Sequence, residues 1–70
     1  MPRFFFHVSN GSVFKDEDGE ELLSIESARA HAARIANELA QAGDYSGFAV
    51  KVADEQGTEV AQVPIGKRSN

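Results

Sequence analysis

One stretch, Ser24 to Gly43, sets the terms for the rest of the chain. Read as a helix, it lines up Ile25, Ala28, Ala32, Ile35, Ala36 and Leu39 on one stripe, the spacing of an amphipathic helix. Ser24 suits the N-cap, and Leu23 before it is placed to staple onto Ala28. Gly43 follows the last periodic residue, where a left-handed C-cap residue is expected. The stripe is narrow and mostly Ala, so this helix has no core of its own. It demands a surface of large side chains opposite, and the Phe-rich and Val-rich segments on either side supply one.

Pro2 to Ser9 reads as a strand, and Asn10-Gly11 after it is a strong two-residue hairpin signal for a type I′ turn. That turn sets Val8 opposite Val13, His7 opposite Phe14 and Phe6 opposite Lys15. Next come five carboxylates in six residues, Asp16 to Glu21, read as an exposed turn with Gly19 left-handed. Beyond the helix, Phe48 to Ala53 alternates with period two, Asp54-Glu55-Gln56-Gly57 turns the chain, and Thr58 to Val63 returns. With Asp54 opposite Thr58, Val52 faces Val60 and Ala49 faces Val63. Pro64 ends the ladder. The expected fold is α+β, ββαββ: one mainly antiparallel four-stranded sheet, its first strand central, with a single helix packed on one face. Residues 1–65 form the domain and 66–70 a disordered tail. Phe4, Phe6, Val8, Val13, Phe48, Val50, Val52 and Val60 face the helix.

Two segments echo one another. Phe14 to Leu22 and Val52 to Val60 both read apolar-x-Asp-Glu-x-Gly-x-Glu-apolar. Shared turn chemistry accounts for the echo better than duplication.

The opening Pro2-Arg3-Phe4-Phe5-Phe6-His7-Val8, the Asp16-Glu17-Asp18-Gly19 turn, the Ala-rich helix and the Val52-x-Asp54-Glu55-x-Gly57 hairpin occur together. In this combination the chain resembles a family of small bacterial proteins carrying a domain of unknown function, over about residues 2 to 65. The resemblance supports the fold and brings no activity, ligand or catalytic residue with it.

Composition narrows the function classes. Seventy residues without a single Cys can hold neither a disulfide nor a thiolate metal site, and so short a chain buries only ~60% of its unfolded surface. Self-association is the natural source of further stability. The net charge of −4, with the basic residues scattered, argues against nucleic acid. Phe5 and Phe14 offer a stacking platform for bases, but no basic groove accompanies it. No apolar run reaches the ~20 residues of a membrane span, so a cytoplasmic protein is expected. His7 and His31 are too few for a histidine metal site. The acidic turn has neither Gly at position six nor Glu at position twelve of a calcium loop counted from Asp16. No metal or cofactor is expected.

Two function classes are left. Removal of Met1 would expose Pro2 as a secondary amine able to act as a base, as in the N-terminal-proline tautomerases, with Arg3, Arg29 or Arg34 to bind a carboxylate. The hairpin after the first strand departs from that family's parallel topology, and Pro2 reads more simply as the start of a strand. The favoured reading is an interaction domain, a homodimer joined through the helix-free sheet face. Its candidate interface is Phe5, His7, Phe14, Ala49, Ala61 and Val63.

Overall fold

Three consecutive phenylalanines give Arg3–Ser9 bulk to offer both sides of a sheet, and this segment, β1, lies at its centre. The computed structural model describes residues 2–43, 45 and 47–66. The other elements follow as β2 (Val13–Phe14), β3 (Glu20–Glu21), α1 (Ile25–Ala42), β4 (Ala49–Ala53) and β5 (Glu59–Pro64). The strands run in the order β2-β1-β4-β5, with β3 also pairing to β1, and every pairing is antiparallel. The helix covers one face through its contacts with β4 and β5. The expected ββαββ arrangement with a central first strand is what forms. The short β3 is an addition: two of the five carboxylates pair with β1, Arg3 opposite Glu21 and Phe4 opposite Glu20.

Ser24 caps the helix as its residue type suggests, its Oγ accepting the Ser27 N–H at 3.1 Å. The other end differs. Gly43 is extended rather than left-handed, and its N–H still reaches the Leu39 carbonyl at 3.2 Å. Leu23 is 77% exposed and staples nothing, and Ile25 stands outside the buried stripe. Ala28, Ala32 and Ala36 are buried against Phe4, Phe6, Val50, Val52, Ala61 and Ile65. Ala in the helix lets it settle closely on the large Phe side chains, which keeps the layer at interior density. Val50 and Val52 are wholly buried, worth ~1.5–3 kcal/mol each. Ile65, beyond the Pro64 expected to end the ladder, is also core, and its N–H donates to the Phe48 carbonyl at 2.9 Å.

Both hairpins depart from the expected register by one residue. In the first, Ser9 pairs with Val13 and Val8 with Phe14, around a three-residue loop, Asn10 to Ser12. A type I′ turn needs positive φ at Asn10, and among the described residues only glycines have positive φ. Asn10 instead accepts the Ser12 N–H on its own Oδ1. In the second hairpin, Asp54 and Thr58 do face each other, the Asp54 N–H donating to the Thr58 carbonyl at 2.9 Å. A bulge then shifts the ladder, so Val52 pairs with Ala61, Val50 with Val63 and Ala49 with Pro64. Val60 is the residue left over.

A one-residue slip sends side chains to the opposite face. Phe14, Ala61 and Val63, expected on the open face, therefore lie on the helix side, and Val13, expected against the helix, lies on the open face. Ala61 belongs to the buried core and Val63 packs on it. Phe14 shares a groove of about 350 Å³ with Val8, Leu39, Tyr45 and Phe48.

Candidate functional site

The helix-free face is built in rows by the strand register. Phe5 stands beside Ala53, which pairs with Glu59; His7 beside Lys51, which pairs with Gln62; and Ser9 beside Ala49, which pairs with Pro64. Val13 extends the last row, and the Arg3–Glu21 pair lies beyond the first. Of the six candidate interface residues, Phe5, His7 and Ala49 share this face; Phe14, Ala61 and Val63 do not. The Phe5 and His7 rings stack nearly parallel, 9° apart with centroids at 6.5 Å. Phe5 and Phe14 lie on opposite sides of the sheet, so the base-stacking platform does not form.

Beside Phe5 and His7 the edge of β1 is closed by the acidic loop rather than by a strand. Between Phe14 and Glu20 the chain leaves the ladder, and Asp16 takes over its hydrogen bonds. Its Oδ2 accepts the Phe6 N–H at 3.2 Å, and its Oδ1 accepts the N–H groups of Asp18 and Gly19 at 3.1 and 3.2 Å. Its own N–H donates to His7 Nδ1 at 3.0 Å. Partial burial pushes the Asp16 carboxyl up. The N–H donors of Gly19, Phe6 and Asp18, with the nearby His7, outweigh that and hold it below the usual aspartate value. Arg3 ties down the far side of the loop, donating to the Asp18 carbonyl at 2.7 Å and pairing with Glu21 at 3.4 Å.

Gly19 shows how closely the loop sits on β1. It has φ +72°, and a Cβ there would lie 2.8 Å from the Phe4 carbonyl oxygen and 2.9 Å from both Phe5 Cε2 and Arg3 Cγ. Phe5 thus has an intrachain neighbour in this loop. The Asp16 signal was legible only as turn chemistry; its reach to Phe6 and His7 depends on a register the sequence does not print.

The remaining candidates are dispersed. His31 sets its ring edge-on to Phe6, centroids 4.8 Å apart and planes at 64°, which is packing. Pro2 is exposed and its carbonyl accepts the Leu22 N–H at 3.0 Å. Arg29 and Arg34 are exposed on the helix, while Arg3 is engaged with the acidic loop. Among the described residues no three His, Asp or Glu side chains cluster to hold a metal ion. Among them, too, no helix is long and apolar enough to cross a membrane. Of the tail read at 66–70, residues 67–70 lie outside the described residues.

An antiparallel sheet bearing one helix on one face, with a carboxylate loop sealing an edge of its central strand, defines a small α+β domain. The family model for a domain of unknown function, DUF6894, matches residues 3–66, and the chain belongs to that family. No curated protein and no solved structure matches it.

Proposed function

We propose that this chain is a small self-associating interaction domain, two copies meeting through the helix-free face of the sheet. The observation that carries the reading is the make-up of that face. Phe5 and Val13 stand over a floor of small residues, Ser9, Ala49 and Ala53, at the centre of the sheet. A face meant only for water alternates more strictly to polar residues. Val13 is 55% exposed at one end of the face and Phe5 is half-buried at the other, with the His7–Lys51 row between them, so a partner laid on the face would cover both.

Charge favours a second copy as the occupant. Lys51 and Glu59 lie one row apart on the face. A two-fold axis through the Ala53 row sets each Lys51 near the other copy's Glu59, a self-complementary contact. Corrected for register, the interface is Phe5, His7, Val13, Ala49, Lys51 and Ala53.

Sedimentation equilibrium from low to high micromolar concentration tests this. The wild type should show a reversible monomer–dimer equilibrium, and Phe5→Glu should be folded and monomeric. A wild type that stays monomeric throughout overturns the reading.

A further inference from the structure

We infer that His7 and Asp16 form a proton-sensitive clasp holding the loop of residues 15–19 against the edge of β1. Two adjacent residues of that strand are gripped by the two ends of one loop residue: Phe6 N–H by the Asp16 carboxylate, and His7 Nδ1 by the Asp16 N–H. An Nδ1 that accepts an N–H carries a lone pair and no proton, so the clasped imidazole is neutral with its proton on Nε2. Protonation of the ring places an N–H where the acceptor was, donor against donor. That bond of the clasp is then lost.

The surroundings decide where the charged ring turns. On β4, Lys51 is the register partner of His7 and repels it. On β5, Gln62 beyond Lys51 is neutral and Glu59 is a row away. On β1 itself Phe5 stacks on the ring, and Arg3 is engaged by Asp18 and Glu21. From the loop, Lys15 adjoins Asp16 in the chain, and the Asp16 carboxylate is the anion that interacts with His7. The imidazolium thus draws the Asp16 carboxylate towards itself and away from the N–H groups of Phe6, Asp18 and Gly19. The Asp16 and Phe6 N–H groups both lose their partners, and at Asp16 the loop is then tied to β1 only through the His7–Asp16 ion pair. Because Gly19 lies against the Phe5 ring, release also alters the open face. That consequence rests on the self-association reading; the clasp does not, and the experiment reads the clasp alone.

The test is a pH series of 15N–1H spectra and amide hydrogen exchange on the full chain, at a dilute monomeric concentration, between about pH 8 and pH 5. The Asp16 amide should shift in step with the His7 ring protons. Protection of the Asp16 and Phe6 amides, corrected for the intrinsic pH effect, should fall about tenfold. His7→Asn keeps an acceptor, Oδ1, near the place of Nδ1 but does not titrate, so it should retain the protection and lose the pH step. Asp16 and Phe6 amides that stay unchanged in the wild type while the His7 ring titrates overturn the clasp. So does a step that persists in His7→Asn.

Discussion

Asp16 and Asp54 occupy the same place in the same nine-residue pattern, and the chain uses them differently. Around Asp54, Oδ1 accepts the N–H groups of Gln56 and Thr58, both at 2.9 Å, and Gly57 follows with φ +86°. All of these partners belong to the turn itself. Around Asp16 comparable turn bonds form, to Asp18 two residues on and Gly19 three residues on, but Oδ2 and the N–H reach Phe6 and His7, ten and nine residues back. One motif closes a hairpin; the other docks a loop on a strand already in place. The cause lies next door. Asp54 directly joins two strands that pair with each other, whereas Asp16 sits between two short strands that both pair with β1.

The comparison is broken most severely at its glycines. A Cβ on Gly57 meets nothing within 4 Å, while one on Gly19 meets Phe4, Phe5 and Arg3. Gly57→Ala should cost only the left-handed penalty, about 1–2 kcal/mol. Gly19→Ala adds overpacking and should cost about 2–5 kcal/mol in all. Urea unfolding of the two variants checks this, and equal losses would show that the acidic loop does not press on β1.

Next come the aspartates. Asp54→Ala removes a local turn contact, worth about 1 kcal/mol. Asp16→Ala leaves three N–H donors without their acceptor, including that of the buried Phe6, and should cost about 2–3 kcal/mol in the same assay. A reversed order would mean the loop is held by something other than Asp16.

Acid sharpens the contrast further. The carboxyl of Asp16 is lowered by folding from its ordinary value near 3.8. Once the His7 ring is charged, what the carboxylate still contributes, to backbone N–H groups or to the imidazolium, is lost as pH falls through the still lower folded value. The Tm gap between wild type and Asp16→Asn should narrow as pH drops below about 3.8. A gap that stays constant into strong acid would contradict the assignment.

The smallest effect concerns calcium. With both Asp16 oxygens accepting backbone N–H groups, the acidic loop offers no open carboxylate site there, and millimolar Ca²⁺ should leave Tm unchanged. An upward shift, lost in Asp16→Asn, would show that the ion displaces those amides.

The helix, the central strand and the one-sided packing were legible because each rests on a periodicity or a cap visible in the chain: Ser24, the Ala28-Ala32-Ala36 stripe, Phe4 and Phe6. Register was not. Asn10-Gly11 advertises a two-residue turn, yet Asn10 keeps negative φ and Ser12 joins the loop. The Asp54–Thr58 closure was read correctly, but the bulge at Val60 has no signature in an apolar run where Val60, Ala61 and Val63 are all acceptable on either face. Each slip of one residue reassigned the candidate site, taking away Phe14, Ala61 and Val63 and adding Val13. Phe5 and His7 survived because β1 is the strand from which the others are counted.

That placement of side chains is the central claim, and proton–proton contacts measured in solution test it most directly. The Phe14 ring should show contacts to Leu39 and Phe48, and the Val63 methyls to Ala36, with Phe5 contacting Gly19. Contacts from Phe14 to His7, together with Val63 lacking any to the helix, would restore the unslipped registers and contradict the account.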